Sequence, residues 1–310
     1  MRRNSILKLA MGCFLSVAAS FAATDAHSQA APRQVTPSGQ GLAGVYGSQP
    51  ADQAEFLSSP DAIKSAAASG APTLVWETLE HGEKIECLDC IPLVAPLLYD
   101  SNAKTREIAA WWLRRRIFGV FGQGEVYQQT VQTLQADSDP VKRSYAAYAL
   151  GEFFAAPGIA ACASALVTDG DARVRSAAAS ALGRLNADGG GALGQALGDS
   201  DPTVRLAVLA SAGRINSFSS AAGLASLTTD TSADVRRRAL EVLDALNVRD
   251  AVAPVAAAAQ NDADARVRAV ACHALGTFGN SSVLSVLQNL SQNDPDAFVR
   301  DQATIALRRL

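Results

Sequence analysis

Cys87 and Cys90, in the run ECLDCIP, are the residues of this 310-residue chain whose type and spacing most invite chemistry. Two cysteines separated by two residues suit three tasks: a tight structural disulfide in an oxidising compartment, a redox couple, or half of a metal site. Pro92 follows directly and favours the first turn of a helix, whose N-terminus stabilises thiolate. His81, with one of Glu77, Glu80, Glu83 or Glu86, offers further ligands, but no second cysteine pair completes a zinc pattern. Ile91 stands where covalent haem attachment needs histidine. All three alternatives stay open on the residues alone, and no metal or cofactor is assigned.

Other catalytic groupings fail for want of residues. Beyond residue 30 the chain has only His81 and His273, so neither a serine triad nor a histidine-rich metal centre can be assembled. Gly189 to Gly191 lack the Lys and Ser or Thr of a phosphate-cradling loop, and no nucleophile elbow occurs. Cys162 and Cys272 lie four repeats apart, about 40 Å at ordinary helix spacing, too far for one disulfide. They read as small buried apolar residues. The expectation is a non-catalytic binding protein.

What must position these residues is a repeat. Arg106, Arg143, Arg175, Arg205, Arg236, Arg268 and Arg300 recur at intervals of 37, 32, 30, 31, 32 and 32 residues. Six positions before each stands an aspartate: Asp100, Asp137, Asp169, Asp199, Asp230, Asp262 and Asp294. Four before each Arg is Asn102, Asp139, Asp171, Asp201, Ser232, Asp264 or Asp296, all short polar residues able to cap the free amides of a helix start. Val174, Ala178, Ala181, Leu182 and Leu185 then trace one buried helix face. A shorter apolar segment follows each time, so one unit reads as helix, turn, helix, with each guanidinium reaching turn carbonyls and carboxylates of its own and the adjoining unit. Such an array is an all-α solenoid of about seven hairpins.

The units resemble the HEAT-like repeat of the phycobilisome-lyase type, whose pattern DxxVRxxAxxALG is followed by Asp171 to Gly183 and by Asp264 to Gly276. The resemblance covers residues from about 90 to 310 and implies a superhelix of stacked hairpins. It specifies activity weakly, since function sits in sites grafted on a fold. A HEAT-like hydroxylase would need several His-Glu dyads for a di-iron centre, and neither His81 nor His273 is followed by Glu. A cofactor lyase of the HEAT-repeat type is the remotest alternative.

In such arrays the second helices line the concave face. Here segments 126–135, 157–167, 189–198, 217–229, 251–261 and 281–292 contain no Lys, Arg, Asp or Glu, and offer instead Gln128, Gln129, Gln132, Gln195, Gln260, Gln288 and Asn289. A neutral, amide-bearing face suits a polypeptide better than a phosphate backbone, and the Arg ladder stands among its own aspartates, which argues against nucleic acid. The N-terminal unit departs from the pattern. Its interval is about five residues longer, and ten of the eighteen aromatic residues lie between Tyr99 and Phe154. Trp111, Trp112, Arg114, Arg115, Arg116, Phe118 and Phe121 are therefore candidate partner-binding anchors, unless they fill a larger first-unit core.

Residues 1–30 carry Arg2, Arg3 and Lys8 before an apolar run from 9 to 23 and small residues at Ala22 and Ala30, the layout of a Sec-type signal peptide, too short for a membrane span. Cys13 as a lipidated residue is disfavoured, because Ala10, Met11 and Gly12 make a poor lipobox. Loss of that segment removes three basic residues and Asp25, moving the formal charge from −3 to −5. Periplasmic or secreted location follows as the expectation. Residues 31–55, rich in Pro, Gly, Ser and Gln, read as a flexible linker, and residues 56–89 as a helical cap containing the cysteine pair, in which Trp76 and Leu79 cover the end of the stack.

Overall fold

Aspartate caps five of the seven helices that carry the ladder arginines, and the aspartate two residues before each of those caps fastens the turn. A computed structural model of the chain describes residues 59–117, 124–155, 157–186, 190–215 and 218–310, all within one unit that spans Gln49–Leu310. The segments read above as signal peptide and linker lie outside the described residues, as do Phe118 and Phe121. Among the described residues every regular element is helical.

Two helices, α1 (Pro60–Ser69) and α2 (Pro72–His81), lead through 3-10 turns to a short α3 (Ile91–Val94), a 3-10 segment Ala95–Tyr99, and α4 (Ala103–Leu113). Six hairpins follow. They are α5 (Glu125–Ala136) with α6 (Pro140–Phe153), α7 (Gly158–Thr168) with α8 (Ala172–Leu185), and α9 (Gly190–Ala196) with α10 (Pro202–Ala212). Then come α11 (Ala221–Ser226) with α12 (Ala233–Ala245), α13 (Val252–Asn261) with α14 (Ala265–Phe278), and α15 (Leu284–Asn293) with α16 (Ala297–Leu307). The close antiparallel partners are a charge-free helix and the Arg-bearing helix after it. The hairpin is thus phased one helix earlier than a unit counted from the Arg helix onward, because the tight Asp-containing turn joins α5 to α6 rather than α6 to α7. The Arg-bearing helices stack α4 on α6, α8, α10, α12, α14 and α16 in succession, and the charge-free helices form a second layer.

Six of the seven N-cap positions act through their side chains. Asn102 accepts from the Lys104 and Thr105 amides, Asp139 from Val141, Asp171 from Arg173, Asp201 from Thr203, Asp264 from Arg266 and Asp296 from Phe298. Ser232 holds the extended cap backbone without a side-chain bond, and its own amide donates to Asp230 Oδ1 at 2.8 Å. The seam between layers is filled by the Leu seven residues after each Arg except Arg205, where Ala212 stands, and by Ala, Val and Cys beside it; Cys162 and Cys272 are free and buried there, burial pushing both thiols up to about 12. At the far end α16 places Thr304 and Arg308 where α14 buries Cys272 and Gly276.

The aspartate-arginine ladder is a set of rungs between successive repeats. Each Arg donates through Nη1 to the backbone oxygen of its own Asp, at 2.9 Å for Arg143 to Asp137 and 2.8 Å for Arg236 to Asp230. Its remaining edge grips the Asp of the next repeat: Arg143 with Asp169, Arg175 with Asp199, Arg205 with Asp230, Arg236 with Asp262, and Arg268 with Asp294, all at 2.6 to 2.8 Å from Nε. Burial alone would raise the carboxyls of Asp169, Asp199, Asp230 and Asp262, but the guanidinium bond and the turn amide more than reverse it, and all four sit below the ordinary aspartate range. At Asp294 the Arg268 bond is the largest influence and the direction is the same.

Depressed folded values mean that the native state binds fewer protons than the unfolded chain. The stabilisation is therefore fully present above the unfolded value of about 3.9 and is lost as pH falls through the folded values. Urea midpoints should stay flat from about pH 8 to 5 and drop steeply below about pH 4. The Asp262→Asn variant, which starts without one of these groups, should show a shallower drop; an identical acid profile would assign the acid lability to other carboxylates.

Candidate binding cleft and the charge-free helix face

The N-terminal end is held by side chains that reach back from the end of α4. Trp112 Nε1 donates to the Gly82 oxygen at 3.0 Å, and the ring is fully buried. The Arg116 guanidinium stacks 3.6 Å over that ring and donates to the backbone oxygens of Trp112, Glu83 and Ile85 at 2.6, 2.6 and 2.8 Å. Only 3% of Arg116 is exposed. Trp112 and Arg116 are thus not surface anchors for a partner: the single 3-10 turn Gly82–Lys84 and Ile85 after it leave carbonyls that accept from both. Burial first, and Arg115 second, push the Arg116 guanidinium down to about 10, against the opposing pull of Glu83 and Glu86.

The other candidates of this region stay nearer the surface. Trp111 is half-buried against the core, Arg115 is exposed and pairs with Glu83 at 2.9 Å, and Arg114 lies 5.4 Å over the ring of exposed Phe154.

Cys87 and Cys90 are joined by a disulfide with their Cα atoms 5.2 Å apart. Cys90 is fully buried and Cys87 nearly so. The His81 ring nitrogen Nδ1 lies 2.6 Å from the Glu77 backbone oxygen of its own helix. Among the described residues no three His, Cys, Asp or Glu side chains gather as a metal site.

Directly after the disulfide, the chain and α5 enclose a cleft of about 500 Å³. One wall is Leu88, Ile91, Pro92, Pro96 and Tyr99, the other Val126, Gln129, Thr130 and Thr133, with Arg116 and Ile117 between them and Glu125 at the start of α5. The cleft coincides with the one junction where the ladder skips a rung. Arg106 bonds the Asp100 and Ser101 oxygens like its counterparts, but its guanidinium lies 3.8 Å over the Tyr145 ring, and no ion pair joins it to Asp137 among the described residues. The spacing explains this: Asp137 is 31 positions beyond Arg106, whereas the paired rungs span 24 to 26.

Sequence reasoning found the longer interval and Gln129, read Pro92 only as a helix-start residue, and missed Leu88 and Pro96. The signal for the two prolines was the run CIPLVAP, apolar yet without helical periodicity; Leu88, between the cysteines, is 58% exposed.

Along the rest of the molecule Gln128, Gln129, Gln132, Gln195, Gln260, Gln288 and Asn289 are all exposed on the charge-free helices. The model for HEAT repeats matches residues 127–191 and 221–308. This chain is a HEAT-repeat protein. The E. coli protein YibA shares its fold, at a TM-score of 0.56 and 18% identity, with 84% of this chain and 95% of YibA covered. Looser likenesses extend to human deoxyhypusine hydroxylase, with a TM-score of 0.35, 20% identity, and 83% and 96% of the two chains covered. The complex of CpcE and CpcF of phycocyanin lyase from a Nostoc species gives 0.40 and 20%, with 71% and 94% covered. No curated protein sequence matches the HEAT array. No helix among its described residues is long and apolar enough to cross a membrane.

Proposed function

We propose that this HEAT-repeat chain is exported and serves as a non-catalytic scaffold that binds another protein through the face of its charge-free helices. One observation carries the reading: exposed amides on α5, α9, α13 and α15, helices that bear almost no charge. Gln and Asn both donate and accept, so they pair with an extended main chain without the cost of desolvating ions. Phosphate backbones are disfavoured because each paired guanidinium of the ladder is spent on a carboxylate and a carbonyl, leaving no basic stripe. Export rests on the composition of residues 1–30, and a disulfide at Cys87 and Cys90 suits an oxidising compartment.

The test is capture from a periplasmic extract by the mature protein and by a variant carrying Gln132→Lys, Gln195→Lys, Gln260→Lys and Gln288→Lys. A specific partner should be retained by the parent and lost by the variant. Equal capture, or none, would remove the face of the charge-free helices from consideration.

The alternative, a redox or metal site at the cysteine pair, is opposed by burial, since a thiolate must reach a disulfide sulfur to exchange with it. Mature, unreduced protein should react with no thiol reagent while folded and show two thiols on unfolding, Cys162 and Cys272. Ready exchange of Cys87 with a glutathione buffer in the folded state, or metal bound after purification, would restore that alternative.

A further inference from the structure

We infer that the cleft between residues 88–99 and α5 seats a short, neutral stretch of extended polypeptide that carries large aliphatic side chains on alternate residues. The inference rests on the scaffold reading and names the part of the partner that docks at the N-terminal end of the charge-free helices. The two walls differ in kind. On one, Leu88, Pro92 and Pro96 are exposed hydrocarbon, and the prolines carry no amide hydrogen. On the other, Gln129 is exposed and Thr133 half-buried, and neither side chain is bonded elsewhere among the described residues. Their spacing selects the ligand. Residues four apart on a helix stand about 6 Å from one another, close to the distance of about 6.6 Å between every second residue of an extended chain. One edge of such a chain can therefore bond to Gln129 and Thr133 in turn, since an amide and a hydroxyl each donate and accept.

Alternate side chains of the bound segment then enter between the walls and cover Leu88, Pro92 and Pro96. Main-chain bonds supply affinity in this mode, and pockets for every second side chain supply selectivity. The lining of α5 runs from Glu125 to Thr133, a rise of about 12 Å, which is room for about four extended residues. Charge fixes the remaining property. The Nη donors of Arg116 are spent on the backbone oxygens of Trp112, Glu83 and Ile85, so the guanidinium asks nothing of a ligand. Glu125 is exposed and keeps its water. A neutral segment desolvates no ion here, whereas an acidic one meets Glu125.

The test is calorimetric titration of purified mature protein with acetyl-Thr-Leu-Thr-Leu-Thr-amide, whose leucines share one side of an extended chain. This peptide should saturate at one per chain. Acetyl-Thr-Leu-Leu-Thr-Thr-amide, of the same composition but with its leucines on opposite sides, should bind at least about tenfold more weakly. The same holds for acetyl-Thr-Glu-Thr-Glu-Thr-amide. Leu88→Glu, at an exposed position, should weaken the first peptide by about tenfold or more and leave the thermal melt unchanged. Should that variant fold poorly, Gln129→Ala on the other wall should cost about fivefold, the worth of one ordinary hydrogen bond. Absence of saturation, equal binding of either control peptide, or indifference to both variants would overturn the site. So would a dimer of this chain that Leu88→Glu dissolves, since the occupant would then be a second copy. The capture experiment stays separable, because its four substitutions lie outside the cleft lining. A partner lost by the four-lysine variant but kept by Leu88→Glu would remove the cleft and leave the scaffold; peptide saturation with no partner captured would do the reverse.

Discussion

Asp262→Ala is expected to destabilise the array by about 3 to 5 kcal/mol, the usual consequence of removing one partner from a buried ion pair. Its carboxylate is 5% exposed and accepts Arg236 Nε at 2.6 Å, Arg236 Nη2 at 2.8 Å and the Asp264 amide at 2.9 Å. Truncation leaves the Arg236 guanidinium, itself mostly buried, without its counter-charge and frees a turn amide at the head of α14. The internal control is Asp137→Ala. Among the described residues that carboxylate accepts only the Asp139 amide, so the loss should be about 1 kcal/mol, that of one ordinary hydrogen bond. Urea unfolding of both variants decides the matter. Equal losses would mean that the aspartates act through their turns alone and that the rungs between repeats add nothing.

That contrast marks how much the residue order revealed. Period, caps and the reach of each Arg to its own turn and to the next repeat were legible, because they are fixed by local spacing and by the chemistry of Asp and Arg. The interval of 37 flagged the first junction as different. It did not show that Tyr145 would take the place of Asp137 beneath Arg106, since that choice depends on how far α6 is displaced once five residues are inserted. Trp112 and Arg116 looked like surface anchors for a related reason. Aromatic and Arg residues are equally suited to an interface and to tying down an irregular loop, and only the position of Gly82–Ile85, thirty residues earlier, distinguishes the two. The cleft was invisible for a third reason: its walls come from segments separated by an entire helix, and only the α5 wall, at 126, 129, 130 and 133, keeps helical spacing along one continuous helix. The phase of the hairpins escaped as well, because a repeat read along a chain has no natural beginning. Caps located the start of each Arg helix but did not say which neighbour folds back upon it.

The last glycine of DxxVRxxAxxALG sets the spacing of the Arg-bearing layer, and Gly276→Ala should therefore destabilise even though Ala is the better helix former. A Cβ on Gly276 would lie 2.8 Å from Ala306 Cα and 2.9 Å from Ala306 Cβ; at Gly151 the same atom meets Ala181 Cα at 2.8 Å, and at Gly183 it meets Ser211 Oγ at 2.5 Å. Each of these glycines is eight residues after its Arg, so the Arg rung and the close approach at the glycine lie on the same helix and fix the position of the next one at two heights. Helix propensity would reward Ala by about 1 kcal/mol. Against that, the clash is with backbone, which a rotamer change cannot relieve, and overpacking of this kind costs about 1 to 3 kcal/mol. The clash should win, for a net loss of about 1 to 2 kcal/mol in Gly276→Ala, and Gly276→Leu should lose considerably more. Gly191→Ala supplies the opposite sign: nothing lies within 4 Å of an added Cβ there, so it should gain up to about 1 kcal/mol. Adding Ala306→Gly to Gly276→Ala should recover only part of the loss, because the backbone of residue 306 still stands in the way of the new methyl group. A stabilised Gly276→Ala would mean that α14 and α16 move apart freely, and the rungs alone would then have to hold the repeats in register.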